Sequence, residues 1–289
     1  MKFFLLPCLS FFFLFAFVHA QGPMSEAGAV RLSYGAVSDR KVDGLSTEIG
    51  YDQWEVRTPI FYQASKDWTF AAGIRYQSTN FEISDSTLLD EDRLHSLDLA
   101  LFLSKKQSET LDWLFLFTPT MAGDFENTGG DAFNYMTIAA AKWKTSDTFE
   151  WIFGAVYTTG IGDDLFVPAL GFIWEPSENS SLVFAGPIIR YRYNFSDNLD
   201  LVLGGQFSGN RWNTESMYGG TLEERNFRFR AYRLSATMEW EILENQALFG
   251  SVGIDLGREV EIELSDETKI MDREVKSTAS FEFGYLYRF

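Results

Sequence analysis

The stretch that decides the fold is the C-terminal "ASFEFGYLYRF", residues 279–289. Aromatic side chains occupy every second position of it, at Phe281, Phe283, Tyr285, Tyr287 and Phe289. The residues between them are Glu282, Gly284, Leu286 and Arg288. A period of two is typical of a β-strand whose two faces meet different surroundings. The sequence therefore predicts a final strand with one wholly aromatic face.

The same alternation recurs along the chain, in "WTFAAGIRY" (68–76), "HSLDLALFLS" (95–104), "FEWIFGAVY" (149–157) and "ALFGSVGIDL" (247–256). The faces opposite the apolar rows carry glycine, alanine and charge, whereas a soluble sandwich would place mainly Lys, Glu and Thr there. Small residues suit the curved, crowded interior of a barrel, and continuous apolar rows suit lipid. The pattern predicts an all-β fold, a transmembrane antiparallel up-and-down β-barrel.

Between 12 and 14 strands are expected. The fourteen candidate ranges are 27–37, 45–62, 67–84, 93–104, 110–121, 133–145, 148–159, 166–175, 181–186, 188–194, 199–212, 226–242, 246–263 and 272–289. Their connections alternate between short polar turns and longer loops, as in outer-membrane barrels. Splitting the chain at Gly186-Pro187 gives two pieces below the ~9–11 residues of a spanning strand, so twelve strands with an irregular segment stays open. A phase slip after Phe229 predicts a β-bulge near Ala231.

The first twenty residues read as a targeting segment rather than as part of the fold. Lys2 precedes an apolar run over 3–18, and "VHA" supplies small residues before a cleavage site after Ala20. Cleavage would leave residues 21–289 as one barrel domain. The single cysteine of the chain, Cys8, lies within the segment, so no disulfide is expected to hold the exported protein.

Composition narrows the range of partners. The net charge is −17, which argues against nucleic acid because phosphate binding needs clustered Lys and Arg. Aromatic residues make up 17% of the chain, while the mean hydropathy is only −0.11. Strands that expose every second residue to lipid produce that combination.

The terminal ladder resembles the C-terminal assembly signal of bacterial outer-membrane β-barrel proteins, with Phe289, Tyr287, Tyr285, Phe283 and Phe281 at the matching positions. The resemblance implies that the barrel-assembly machinery recognises this strand. It also implies localisation in a Gram-negative-type outer membrane, in contact with the bilayer and its lipids.

A second stretch, "FVPALGFIWEPSENSSLVFAGP" (166–187), resembles an uncharacterised family of outer-membrane barrels that carries only a domain-of-unknown-function label. The matching residues are Pro168, Gly171, Trp174, Pro176, Gly186 and Pro187. The resemblance implies no activity and no catalytic residue.

Catalytic and metal chemistry find little support. His95 is the one histidine outside the targeting segment, and its neighbour Ser96 points to the opposite face of a strand. No cysteine–histidine metal site is expected. The acidic stretches 90–93 and 162–164 match no calcium-loop spacing and read as solvated loops. We therefore expect no catalytic residue, no metal and no cofactor.

Charged side chains on the inner parity are the remaining candidates for function. The cations are Arg57, Arg75, Lys142, Arg190, Arg192, Arg228, Arg230 and Arg288, and the carboxylates are Glu55, Asp98, Asp112, Asp200, Asp255 and Glu282. Such groups are costly towards lipid and tolerable in a wet or paired interior. Two readings stay open, a narrow channel for small solutes and a barrel plugged by its own ion pairs. We expect a passive pore or structural barrel; the alternatives are an outer-membrane lipid-modifying enzyme and a secreted soluble β-sandwich.

Overall fold

The structure is a computed structural model that describes residues 28–84, 89, 92–126, 130–160, 165–218, 221–265 and 268–289. The strands are β1 (Ala29–Lys41), β2 (Glu48–Ala64), β3 (Trp68–Ile83), β4 (Arg93–Lys106), β5 (Leu111–Gly123), β6 (Phe133–Ser146), β7 (Phe149–Thr158), β8 (Leu165–Ser177), β9 (Ser180–Ala185), β10 (Ile188–Ser196), β11 (Leu199–Tyr218), β12 (Thr221–Leu243), β13 (Gln246–Leu264), β14 (Lys269–Val275) and β15 (Thr278–Arg288). A short 3₁₀ turn, Gly130–Ala132, precedes β6.

The sheet closes on itself. Consecutive strands from β1 to β13 pair antiparallel, and β1 pairs with β15 from Ala29↔Arg288 to Val37↔Ser280. Strands β14 and β15 pair with successive parts of β13, so they form one interrupted strand. Within the described residues the barrel therefore has fourteen strands. The predicted antiparallel barrel is confirmed, and the alternative of a soluble sandwich is wrong.

The outer surface is apolar and aromatic. Trp54, Phe115, Leu170, Val252 and Phe283 are each about half exposed, and they belong to the outward rows of five different strands. Exposing apolar area to water costs ~25 cal/mol per Å², whereas lipid imposes no such cost. The outward rows thus form the lipid-facing belt of the barrel.

Tryptophans mark one boundary of this belt. Six of them lie within a few residues of the short connections, at Trp68, Trp113, Trp143, Trp151, Trp174 and Trp240. Tryptophan favours the membrane–water interface because its ring is apolar and its N–H is polar. We call this end of the barrel the short-turn end and the opposite end, where the longer connections lie, the long-loop end.

The irregular segment at Gly186-Pro187 is a hairpin tip. Strands β9 and β10 have six and nine residues, and they pair from Ile188↔Ala185 to Tyr193↔Ser180. Gly186 adopts φ 60°, which glycine tolerates without a Cβ penalty. The twelve-strand alternative is therefore wrong, and the barrel wall is low at this hairpin.

The bulge lies on β13 rather than on β12. Arg230 pairs with Glu259 and Tyr232 with Leu256, so β13 advances three residues where β12 advances two. Gly257, with φ 53°, takes the extra position. The position predicted near Ala231 is corrected to its partner strand, and β12 keeps its alternation unbroken.

The long-loop end is covered by a hairpin that folds inward. Strand β11 continues beyond its pairing with β10, and Asn213 bridges in parallel to Gly123 at the end of β5. Gly209 lies where β11 leaves the wall and has φ 117°, where a Cβ would overlap the Phe229 carbonyl oxygen. We call the described parts of residues 209–230 the lid hairpin, since they cross the mouth of the barrel.

Candidate functional site: the lumen and its apolar plug

An apolar plug fills the lumen where the lid hairpin packs against β1, β2 and β3. Its members are buried side chains from β1, β2, β3, β11 and β12, namely Val37, Tyr51, Phe81, Trp212, Phe227 and Phe229. The Phe81 ring centre lies 4.9 Å from that of Phe227 and 5.3 Å from that of Trp212. These edge-on contacts are a favourable aromatic geometry. The long-loop end of the lumen is therefore closed by packed rings.

The plug forms because the polarity of the strands inverts outside the membrane. On β12 the lipid-facing residues are Tyr232, Leu234 and Trp240. Phe227 and Phe229 lie nearer the long-loop end of the same strand, and they face the interior. Outside the lipid belt the outer face meets water, so apolar side chains pack inward as in a soluble protein. The alternation of inward and outward side chains along β12 is unbroken; what changes is that the outer face meets lipid in one part of the strand and water in the other.

Arg228 and Arg230 consequently lie on the outer face, and their predicted lumen positions are wrong. Arg228 donates to Glu261 at 2.8 Å and to Glu263 at 3.3 Å, and Arg230 pairs with Glu259. The prediction failed because it placed the phase slip on β12, which would have turned the arginines inward. These ion pairs lie above the lipid belt.

Glu263 belongs to this outer cluster beyond the membrane. Burial, with the neighbouring Glu261 carboxyl adding to it, raises the pKa of Glu263 to about 7. Lys269 lies 3.2 Å from Glu261 and joins the two carboxylates to β14. This end of β13 and β14 is thus held by a compact, titratable network.

A polar cavity of about 310 Å³ lies beneath the plug. Its basic lining residues are Arg31, Arg57, Arg75, Arg190 and Arg233, and its acidic ones are Glu55, Glu239 and Glu282. The plug residues Val37, Tyr51, Phe81, Trp212 and Phe229 also line it and form its roof. The cavity therefore has an aromatic ceiling and charged walls.

Several ion pairs of the lumen expose the cation more than the carboxylate. The side chains of Arg57 and Arg75 are 40% and 37% exposed, against 6% for Glu55, which both contact. Asp98, the second partner of Arg75, is 4% exposed, and Asp255, the partner of Arg233, is fully buried. Carboxylates held behind guanidinium groups leave the positive side of each pair facing the cavity.

Three pairs reverse this order, one of them being Asp112 with Lys142. Glu282 is more exposed than Arg31, which it contacts at 2.7 Å, and Asp200 is more exposed than Arg192, at 2.6 Å. Nearest the plug the more exposed member of the pair is again the cation, Arg233. It donates to Asp255 at 2.7 Å and to the Tyr51 hydroxyl at 3.0 Å. The basic surface is thus concentrated along β2, β3 and β12.

Other predicted lumen charges lie nearer the short-turn end. Arg192 also contacts Glu239 at 3.2 Å, and Glu239 in turn contacts Arg288 at 3.1 Å. Asp112 lies 3.5 Å from Lys142, which also contacts Glu150 at 3.2 Å. Arg190 lines the cavity close to the β9–β10 tip. The Lys142 pairs join adjacent strands, whereas the two Glu239 pairs each reach across one intervening strand, β11 or β13. Together they tie the wall from the inside.

Most inward residues of β5–β9, opposite the charged strands, are apolar. Inward positions of β5, β6, β7 and β9 carry Leu114, Leu116, Ile138, Ile152 and Val183, which alternate with exposed outward residues. The interior is therefore two-sided: charged along β1–β3 and β10–β13, and apolar along β5–β9 apart from the Asp112, Lys142 and Glu150 pairs near the short-turn end.

The terminal ladder lies on the lipid face beside the closing seam. Phe281, Phe283, Tyr287 and Phe289 are exposed, and the Tyr285 hydroxyl donates to Gln246 at 2.8 Å. The Phe289 amide donates to the Gly28 carbonyl at 3.0 Å, beside the start of β1. The last strand thus presents aromatic rings outward and completes the ring of strands.

His95 contacts a tyrosine rather than a serine. Its Nδ1 lies 2.9 Å from the Tyr76 hydroxyl, and its ring stacks on that of Tyr76. The hydroxyl of Ser96, on the other face, donates to Gln77. This geometry is that of an outward-facing interfacial histidine and does not match the serine–histidine arrangement of a hydrolase.

Metal ligation was expected to be absent, and the described residues contain no cluster of three or more metal-ligating side chains. The acidic stretch 162–164, and positions 90 and 91 of the other, lie outside the described residues. No helix among the residues that the structure describes is long and apolar enough to cross a membrane.

Sequence reasoning missed the plug and the role of Arg233. The signal was present: in "RNFRFRAYRLSATMEW" the outward face changes from arginine to Tyr232, Leu234 and Trp240 without a break in alternation. Such a change marks the point where a strand leaves the lipid. Arg233 shares its parity with Phe229 and Glu239, which places it on the inner face.

The family of the chain follows from comparison with known proteins. The family model described as domain of unknown function (DUF6268) matches residues 57–284. The chain belongs to this family. DUF6268 has no assigned activity, and with the closed strand ring it identifies this chain as an outer-membrane β-barrel, as the residue resemblance implied. No curated protein matches the sequence.

The chain was also compared with solved structures. The COG4313 outer membrane channel from Pseudomonas putida F1 is 13% identical, with a TM-score of 0.51, covering 90% of this chain and 95% of the channel. The Pseudomonas putida toluene transporter TodX is 12% identical, with a TM-score of 0.43, covering 93% and 92%. The likeness to the COG4313 channel extends to the barrel fold alone.

Proposed function

We propose that this DUF6268 barrel is a passive channel for small solutes that rests in a closed state. The observation that carries the proposal is the polar cavity lying directly beneath an apolar plug. Hydrophobic constrictions close pores by excluding water, and charged walls set which solutes enter. The lid hairpin would have to move, together with its rings, before the cavity could open at the long-loop end.

Conductance in planar bilayers tests the proposal. The double variant Phe81→Ala, Phe227→Ala removes the central rings of the plug, a change that costs ~3–5 kcal/mol per ring in a packed core. We expect the wild type to give rare or small current steps and the variant to give frequent, larger ones. Phe115→Ala, Phe283→Ala removes two lipid-facing rings and is the matched control.

The folded state of every variant is checked by the shift in gel mobility on boiling. A folded plug variant that stays as silent as the wild type would contradict the channel and favour a purely structural barrel. Catalysis has no supporting observation of this kind, because His95 contacts Tyr76 rather than a serine.

Targeting is proposed from the sequence. Residues 1–20 would act as a signal peptide cleaved after Ala20, and the terminal ladder would be read by the barrel-assembly machinery. N-terminal sequencing of protein extracted from outer membranes tests the first point: a mature chain that begins at Gln21 is expected, and retention of Met1 would contradict it.

A further inference from the structure

We propose that the cavity binds a small organic anion, a carboxylate carried on a compact apolar ring. The inference rests on the proposed channel function in that it names the class of solute. Three features of the cavity support it: the exposed guanidinium groups on its walls, the aromatic residues in its roof, and two buried polar atoms that lack a partner.

The guanidinium groups supply the anion site. Arg57 and Arg75 line the cavity and are far more exposed than their carboxylate partners Glu55 and Asp98. The planar guanidinium group matches the two oxygens of a carboxylate in a forked geometry, so a ligand carboxylate can meet the exposed part of either group. The overall charge of −17 makes this local basic surface the more distinctive.

The roof supplies the apolar part of the site. Phe81, Trp212 and Phe229 line the cavity and are less than 4% exposed, so they are held by the plug rather than free to rearrange. Rings and branched aliphatic groups pack well against aromatic edges. The cavity volume of about 310 Å³ lies at the lower end of the ~300–1,000 Å³ range of small-molecule sites.

Two unpartnered atoms point to a ligand between these surfaces. Thr79 and Trp212 line the cavity at 1% and 3% exposure, and neither the Thr79 hydroxyl nor the Trp212 ring N–H has a hydrogen-bond partner among the described residues. Buried polar groups are almost always paired, so each such group requires an explanation. A ligand carboxylate beside either atom would accept its hydrogen bond.

Calorimetric titration of the folded protein in a zwitterionic detergent at low salt tests the proposal. The probes are benzoate, benzyl alcohol, which keeps the ring without the charge, and acetate, which keeps the charge without the ring. We expect benzoate to bind at least tenfold more tightly than either. Equal binding of benzyl alcohol or acetate, or no binding of benzoate, would overturn the proposal.

Two shape-conserving variants locate the site. Thr79→Val removes the hydroxyl and Trp212→Phe removes the ring N–H; each should weaken benzoate binding about tenfold or more, the usual effect of one lost hydrogen bond to a charged group. Thr137→Val, on the lipid face of β6, is the control and should change nothing. Unchanged affinity in both cavity variants would mean that water satisfies these atoms, and the proposal would fail.

The outcomes for channel and ligand are separable. If the plug variants conduct but benzoate does not bind, the channel proposal stands and the proposed ligand class is wrong. If benzoate binds but the plug variants do not conduct, the binding site stands and the channel proposal is wrong.

Discussion

At the scale of single residues, Gly209 controls the path of the lid hairpin. Its φ of 117° lies in a region that residues with a Cβ rarely adopt, and an added Cβ would overlap the Phe229 carbonyl oxygen. Everything beyond Gly209 on β11 depends on this bend, including the placement of Trp212 in the plug. One glycine therefore links the wall of the barrel to the closure of its mouth.

We predict that Gly209→Ala loosens the lid hairpin by ~1–3 kcal/mol, the usual cost of forcing a residue into a sparsely populated backbone region. Limited trypsin digestion should then cleave faster after Arg211 and Arg225. Gly250→Ala is the control, because a Cβ there meets nothing within 4 Å. Equal cleavage rates in the two variants would show that the bend does not hold the hairpin.

Glu263 makes the outer part of the barrel sensitive to pH. Its folded-state pKa of about 7 lies above the ordinary 4.5, so the folded state holds the proton more tightly than the unfolded state does. The stability contributed by this proton is fully present below pH 4.5 and is lost as the pH rises through about 7.

We expect hydrogen–deuterium exchange of residues 258–275 to quicken between pH 4.5 and about 8, after correction for the intrinsic rate, by more in the wild type than in Glu263→Gln. Residues 246–254 of the same strand serve as the internal reference. A pH profile that Glu263→Gln leaves unchanged would count against this role.

At the scale of elements, β15 combines two tasks on two faces. Its inward residues include Glu282, which contacts Arg31, and its outward residues are the aromatic ladder. Its backbone completes the seam, and the Phe289 amide donates to Gly28. Loss of this one terminal hydrogen bond is minor for stability, whereas loss of the terminal ring would affect the proposed assembly signal.

Deletion of Phe289 should therefore lower the amount of folded protein in the outer membrane several-fold and leave refolding into detergent micelles nearly unchanged. Boiling-dependent gel mobility measures both. The control is Phe195→Ala, which removes an exposed ring near a short turn. Equal losses in cells and in micelles would mean that Phe289 acts through stability rather than through recognition.

At the scale of the whole molecule, the barrel has two structures stacked along its axis. Within the lipid belt fourteen strands form the wall, and above it β11 bypasses β6–β10 and bridges to β5. The upper structure is thus narrower and has an apolar core, which a short circumference can fill. The lower structure keeps a polar interior because ion pairs line it.

A cross-link tests whether the upper structure must move. The Glu215 amide donates to the Asp124 carboxylate at 3.2 Å, where the lid hairpin meets the end of β5. We predict that Asp124→Cys, Glu215→Cys, joined by a disulfide or a short bifunctional linker, suppresses the currents of the Phe81→Ala, Phe227→Ala variant.

Cys8, the only other cysteine of the chain, lies in the predicted signal segment and would not interfere. Reduction of the disulfide should restore the current. Undiminished conduction through the fully cross-linked protein would exclude movement of the lid hairpin from the opening.

The sequence by itself determined the barrel, because a period of two with lipid on one side admits no other assignment of faces. The aromatic ladder ending at Phe289 and the family resemblance at Pro168–Pro187 pointed to the class of protein that the comparisons support. Predictions were weakest where the solvent changes: Arg228 and Arg230 were assigned inward because the change of outward residues along β12 was interpreted as a phase slip, whereas the bulge lies on β13.

Only the tertiary structure decided that Phe227 and Phe229 face the lumen, that β11 bends at Gly209 to reach β5, and that the carboxylates lie behind Arg57 and Arg75. These facts depend on contacts between residues far apart in the chain, such as Tyr51 with Arg233. Periodicity is a local property of each strand. Which side chains meet across a closed ring of strands is set by the shear and curvature of the whole barrel.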